Sequence, residues 1–258
     1  MNVTFYKYQG TGNDFIMIDN RELFFDADNY ALIAKLCERR MGIGADGLIL
    51  LQNREGYDFE MVYYNADGRP GSMCGNGGRC TVQFARQLNV IQEKAFFLAA
   101  DGDHYATIDS QGQVSLKMND VVQVETGTDY YFLNTGSPHY VQFVDALDQF
   151  NVFAEGKLIR YNDRFKAEGT NVNFAQLQPE PQLFVRTYER GVEDETFSCG
   201  TGVTATALAA SYQGATSPVS IRTLGGNLQV AFEATATGFT NIYLIGPAQY
   251  VFTGTITV

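Results

Sequence analysis

Two stretches of the chain place a cysteine among glycines, where a thiol has little to pack against. The first, "NADGRPGSMCGNGGRC" (65–80), holds five glycines and two cysteines in sixteen positions. The second, "ERGVEDETFSCGTGVTAT" (189–206), repeats its central pattern, Cys-Gly-X-Gly, so that Cys74–Gly77 is matched by Cys199–Gly202. At the start of a helix this pattern would do two things. Exposed backbone N–H groups and the positive end of the helix dipole form a site for a carboxylate or phosphate. The same field stabilises a thiolate, drawing a cysteine from its reference pKa of about 8.5 towards neutrality.

Two such sites around one carboxylate suggest chemistry at the adjacent carbon. Inverting that centre requires removing a proton from one face and returning one to the other. Two opposed thiols can do this without moving, one as thiolate and one as thiol, with coupled titrations. Backbone donors would stabilise charge on the carboxylate in the transition state, at roughly 3 kcal/mol per donor, and no organic cofactor is required. A disulfide joining Cys74 to Cys199 is the alternative for these two residues. Cys37, on the apolar face of a helix, and Cys80, just beyond its loop, read as small buried hydrophobes.

The elements that must hold these loops are mostly strands. Segments rich in aromatic and β-branched residues run from "VTFYKYQ" and "DFIMIDN" through "GLILLQ", "FEMVYYN", "AFFLAA" and "HYVQFV" to "QLFVRTYE", "VSIRTL", "NLQVAF" and "NIYLIG". Three helices are expected: one in "DNYALIAKLCERRMG", capped by Asp28 and stopped at Gly42, and two that open at the loops, Gly77 to about Leu88 and Gly202 to about Tyr212. Arg39 and Arg40 after the first read as a solvated helix end. Each loop is followed by a helix, a strand and a glycine turn, Gly102 lying 28 residues after Cys74 and Gly226 lying 27 after Cys199. That shared order suggests a duplicated unit, hence an α+β fold of two halves. The halves are expected at 1–118 and 119–258, with the last strand a candidate to pack back on the first. A cleft between them is the favoured ligand site.

Composition narrows the partners. With 258 residues, 45% hydrophobic and 18% charged, the chain is expected to be globular. A formal net charge of −11 disfavours nucleic acid and anionic membranes. No apolar run is long enough to cross a bilayer, and the start has no signal-peptide pattern, so a cytoplasmic protein is expected. Two histidines and no Cys-X-X-Cys pair argue against a zinc site, and no metal is expected.

At "GTGNDF", "GIGADG", "MCGNGGRC", "GSPH", "GTNVNF", "YERGVEDETFSCGTG", "GGNLQV" and "GPAQYVF" the sequence resembles the diaminopimelate epimerases, pyridoxal-independent enzymes of lysine and peptidoglycan precursor synthesis. The resemblance runs through essentially the whole chain. It implies two related halves, each a mixed sheet wrapped around a central helix, and interconversion of LL- and meso-diaminopimelate. It implies Cys74 and Cys199 as the acid/base thiols, with Gly75, Asn76, Gly200 and Thr201 binding the reacting carboxylate. Asn13, Asn65 and Asn171 match substrate-contacting positions, and Glu189 with Arg190 match a pair beside the second cysteine. His139 and Glu189 are implied to tune the thiols. These types suit a zwitterion: asparagines donate and accept, and Arg190 offers a bidentate fork. From the residues alone, Asn65 could instead be a turn residue and His139 a hydrogen-bonded strand start.

The family pattern is not matched everywhere. Ser137 stands in "GSPH" where asparagine is common, and Gly47 stands where a glutamine often contacts substrate. Family members are commonly homodimers, with which the aromatic Phe252 is compatible. Three other readings remain: a racemase of proline-like acids, a silent amino-acid-binding protein that merely grips carboxylates, and a redox protein cycling a disulfide.

Overall fold

The computed structural model describes residues 1–180 and 182–258. The chain forms two compact units, Met1–Leu116 with Gly246–Val258, and Lys117–Ile245. The first is built from β1 (Asn2–Gly10), β2 (Asn13–Asp19), α1 (Tyr30–Cys37), β3 (Gly47–Gln52), β4 (Phe59–Asn65), α2 (Gly75–Gln87), β5 (Lys94–Ala99), β6 (Gly102–Ile108) and β7 (Gln113–Lys117). The second contains β8 (Val124–Thr126), β9 (Tyr131–Asn134), β10 (Pro138–Phe143), α3 (Val152–Arg160), β11 (Asn171–Leu177), β12 (Leu183–Glu189), β13 (Asp194–Thr196), α4 (Gly200–Ser211), β14 (Val219–Thr223), β15 (Gly226–Ala234) and β16 (Phe239–Pro247). The chain then returns as β17 (Gln249–Thr257), which pairs antiparallel with β1.

The two units repeat one ladder. In the first, β1–β2 is antiparallel, β2–β3 parallel, β3–β4 antiparallel, β4–β5 parallel and β5–β6 antiparallel. In the second, β9–β10, β10–β11, β11–β12, β12–β14 and β14–β15 follow the same alternation, with β13 an added hairpin on β12. The fold is α+β, two related halves of mixed sheet.

Strand alternation puts a helix on each face of either sheet, because neighbouring side chains point to opposite sides. Ile16, Ile18, Leu48 and Leu50 pack with Ile33, Leu36 and Cys37 of α1, whereas a Cβ on Gly77 of α2 would meet Ile49. Likewise Val172, Phe174 and Phe184 cluster with Val152 of α3, whereas Gly202 of α4 abuts Asn173. The loop helices are the deeply buried pair: ten of thirteen residues in α2 and ten of twelve in α4 are buried. Alanines, glycines and threonines dominate α4, which lets sheet strands approach on several sides.

Several details differ from the sequence reading. The cap of α1 is Asn29, whose side chain accepts from Leu32 N–H, and not Asp28. Helices α2 and α4 begin directly after their cysteines, two residues earlier than the glycine pattern suggested. Helix α3 was not read because Gly156 interrupts its pattern, at a helix cost of about 1 kcal/mol. A Cβ there would lie 2.4 Å from Tyr188 Cβ, so packing outweighs propensity. Strand β11 was not read either, since "NVNF" carries asparagines at two positions of a buried run.

Candidate active site

Each cysteine is the N-cap of its helix. Cys74 has φ −112° and ψ 121°, Cys199 φ −116° and ψ 111°, and neither side chain caps its helix. The carbonyl of each accepts the first intrahelical bond, from Gly78 N–H at 2.7 Å and Val203 N–H at 2.8 Å. The first-turn amides on either side of these thiols therefore have no intrahelical acceptor, which is the condition for anion binding. Cys74 is partly exposed and Cys199 is buried.

In the first unit the loop is held by polar contacts. Asn13 Nδ2 donates to Asp46 Oδ2 at 2.6 Å, and a carboxylate can only accept, so the amide oxygen must face the loop. There Asn13 Oδ1 accepts from Cys74 Sγ at 3.6 Å and from Asn76 Nδ2 at 3.5 Å. Asp46 is itself fixed by Arg39 at 2.9 Å, which also pairs with Asp14 at 2.5 Å, while Lys7 pairs with Asp14 at 2.7 Å. Arg39 is thus part of an ion-pair network behind Asn13, beyond the solvated helix end the sequence suggested. Burial acts to raise the Asp14 carboxyl, and hydrogen bonds from Arg39 and Lys7 outweigh it, leaving it below its ordinary range. Asn65 ends β4 opposite Gly47, and its backbone closes the turn to Gly68 and Arg69. A side chain at Gly47 is barred, since a Cβ would sit 2.5 Å from the Tyr63 ring and 2.6 Å from Tyr64 O.

The second unit carries a buried polar chain under α4. Asn173 Nδ2 donates to Tyr140 O at 3.0 Å, a carbonyl that can only accept, so the amide orientation is fixed. The same Nδ2 lies 3.1 Å from His139 Nδ1, which must then be the unprotonated nitrogen. The ring proton is on Nε2, 3.1 Å from Ser137 Oγ. Asn171 is fixed in the same way: its Oδ1 accepts from Arg190 N–H at 2.9 Å and its Nδ2 donates to Pro138 O and to Ser137 Oγ at 3.0 Å. Ser137 Oγ therefore receives two N–H groups and has its own proton left to give. Burial, reinforced by the Arg190 charge, pushes the His139 imidazole down to about 3, so it is neutral across ordinary pH. Thr201 Oγ1 lies 3.4 Å from Cys199 Sγ, and Glu189 Oε2 accepts from Thr196 at 2.9 Å.

The structure thus brings Asn13, Cys74 and Asn76 together in one unit, and Ser137, His139, Asn171 and Arg190 in the other. Sequence reasoning missed Asn173 and Arg79. Arg79 is fully buried and bonds Gly75 O, Thr11 Oγ1 and Asn76 Oδ1. Among the described residues, no group of three or more His, Cys, Asp or Glu is placed to hold a metal ion.

The sequence profile described as Diaminopimelate epimerase matches residues 5–127 and 131–251. The chain belongs to the diaminopimelate epimerase family. A diaminopimelate epimerase of Flavobacterium psychrophilum is 56% identical over 253 residues, covering 97% of this chain and 99% of the relative. One of Chlorobaculum tepidum is 42% identical, covering 96% and 99%. Similar solved structures extend the fold beyond the family. A phenazine biosynthesis protein of the PhzF family from Bacillus anthracis superposes with a TM-score of 0.80 at 12% identity, covering 100% of both chains. A hydroxyproline epimerase from Agrobacterium vitis gives 0.70 at 14%, covering 99% and 92%. At such identities the likeness is one of fold alone. Within the family, the two cysteine loops fall inside the two matched segments, one in each.

Proposed function

We propose that this protein interconverts LL-2,6-diaminopimelate and meso-diaminopimelate by a two-base mechanism. The observation that carries the reading is the matched pair of cysteines at uncapped helix starts in two repeated units. The N-terminal half, 1–118, supplies Cys74 and the C-terminal half, 119–258, supplies Cys199. One sulfur, as thiolate, takes the α-proton; the other, as thiol, delivers a proton to the opposite face, and the pair exchanges roles in the reverse reaction. The first-turn amides at Gly75, Asn76, Gly200 and Thr201 take the reacting carboxylate and stabilise the charge that grows on it in the transition state. This chemistry requires no organic cofactor.

Recognition of the far amino-acid group falls to Asn13, Asn65, Asn171, Glu189 and Arg190. His139 and Glu189 set the ionisation around the thiols, His139 as a neutral ring. Ser137, obliged to donate, meets a carboxylate oxygen and not an ammonium. The enzyme works in the cytoplasm as a homodimer. Among the described residues no helix is long and apolar enough to span a membrane.

The test is incubation with LL-diaminopimelate in heavy water, reading both stereochemistry and label. Wild type gives meso product with solvent deuterium at the α-carbon. Cys74→Ala and Cys199→Ala each lose inversion; full turnover by either variant removes the two-base mechanism.

A further inference from the structure

The amide of Asn13 is oriented from both ends of a short hydrogen-bond chain in the first unit. At one end Asp46, ion-paired with Arg39 at 2.9 Å, accepts from Asn13 Nδ2 at 2.6 Å and from Asp14 N–H at 3.1 Å. At the other end Arg79 Nη2 donates to Asn76 Oδ1 at 3.1 Å, which turns Asn76 Nδ2 towards Asn13 Oδ1 at 3.5 Å. A carboxylate only accepts and a guanidinium only donates, so the chain runs in one direction. The bond between the two asparagines is longer than an ordinary amide bond, which makes Asp46 the firmer anchor.

The segment that carries Asp46 is itself fixed. Ile43 and Gly44 N–H both bond Leu36 O, Ala45 N–H bonds Cys37 O, and Asp46 N–H bonds Asp14 O at 2.9 Å. Lys7 Nζ also holds Gly44 O. In the second unit the register places Thr170 where the first has Asp46, since Asn171 lies opposite His139 as Gly47 lies opposite Phe15. Thr170 bonds the backbone oxygens of Pro138 and Asn171, so a carboxylate at this register position belongs to the first unit.

We propose that Asp46 is a positioning residue for Cys74: it holds Asn13 with its oxygen inward, where that oxygen accepts the thiol proton. The distance from Sγ to Oδ1 is 3.6 Å, an ordinary length for the larger sulfur atom. To donate to the sulfur instead, the amide would have to set its oxygen against Asp46 and lose a charge-assisted bond. Asp46 thus acts through Asn13 to favour the thiol over the thiolate, against the pull of the helix start. The inference rests on the two-thiol reading, in which each sulfur gives a proton in one direction and takes it in the other. Asp46 keeps a proton available on Cys74. Charged or titratable groups also stand on α2 itself, Arg79 and Cys80, both of which interact electrostatically with Cys74. The strands packed against α2 add Lys7 and Tyr8 on β1, Asp14 on β2, Tyr63 on β4, His104 on β6 and Tyr250 on β17.

Alkylation without substrate reads the effect. In a Cys199→Ser background, iodoacetamide modification of Cys74 is followed against pH by peptide mass spectrometry, with Asn13→Ala, Asp46→Ala and the double variant. Asn13→Ala alone is expected to lower the Cys74 midpoint by about half a unit to one unit, the worth of one neutral hydrogen bond to the thiol. In the Asp46→Ala background the amide is free to turn its N–H to the thiolate. Removing Asn13 there is expected to leave the midpoint in place or raise it. The charge lost with Asp46 moves the midpoint too, but it cancels in the cycle, as do the other groups around α2. A rise with Asn13→Ala alone overturns the proposal. So does an equal fall in both backgrounds, the result a merely structural Asp46 would give. If Asp46→Ala fails to fold by circular dichroism, Asp46→Ser takes its place, since a hydroxyl donates as well as accepts. Should the cycle fail while LL-diaminopimelate is epimerised, only the positioning role falls. Should it hold without epimerisation, only the functional reading falls.

Discussion

Asn173 Oδ1 lies 2.3 Å from where a Cβ on Gly202 would sit, so the first turn of α4 rests directly on a buried amide of β11. That oxygen is not free to retreat, because it accepts from Thr187 Oγ1 at 3.0 Å. Gly202→Ala is therefore expected to cost about 1–3 kcal/mol, overriding the roughly 1 kcal/mol that alanine gains in a helix. The matching Gly77 faces the ends of Ile49 and Met61, at 3.1 and 3.3 Å, and Cys74 Cβ in ordinary contact at 3.6 Å. Gly77→Ala should stay within about 1 kcal/mol of wild type. Urea midpoints of the two variants read the difference, and equal losses would contradict it.

Replacing Asn173 by aspartate removes the donor that faces His139 Nδ1. The ring is then expected to carry its proton on Nδ1, turning Nε2 into an acceptor that draws the Ser137 hydroxyl inward. Nitrogen-15 NMR of the imidazole reads this directly, since His104 is the only other histidine. Turnover should fall with it, mostly through KM, as a carboxylate contact is lost. An unchanged ring tautomer in a folded Asn173→Asp protein counts against the wiring.

Acid sensitivity should have two parts. His139 binds no proton in the folded state until about pH 3, whereas its unfolded form binds one below about 6.5. The unfolded state thus takes up more protons in that window, and stability is lost as pH falls through it, by up to about 1.4 kcal/mol per unit. Asp14, lowered in the fold, adds a further loss below about pH 4. His139→Gln should flatten the first part and leave the second; denaturation curves from pH 7 to below pH 4 provide the check.

Gly47 should resist the glutamine that the family resemblance suggests for this position. Gly47→Ala is expected to destabilise by about 1–3 kcal/mol, because the Tyr63 ring and Tyr64 O occupy the space. Removing the ring with Tyr63→Ala should not rescue Gly47→Gln, since the backbone oxygen remains. Recovery of wild-type melting in that double variant would show that the obstacle is the ring alone.

The cysteine loops were legible as helix starts because the pattern is local: a thiol, a glycine pattern and a helix start lie within a few residues. The ladder was legible only as a list of strands, since parallel pairing such as His139 opposite Asn171 joins segments far apart in sequence. Arg79 and Asn173 were missed for one physical reason. Arginine and asparagine are usually exposed, so neither is read as buried by type. In retrospect, the asparagine at the centre of "NVNF" breaks an otherwise buried strand, and that polar intruder was the available sign.

Helices α2 and α4 each open on a residue that does not cap them. Serine or aspartate at such a position usually adds about 1 kcal/mol. The two sulfurs proposed to act as acid and base therefore occupy the spots where the scaffold could most simply be reinforced. Selection for heat resistance alone would favour replacing them, and a toughened but inert protein is the nearest neighbour of this one in sequence space.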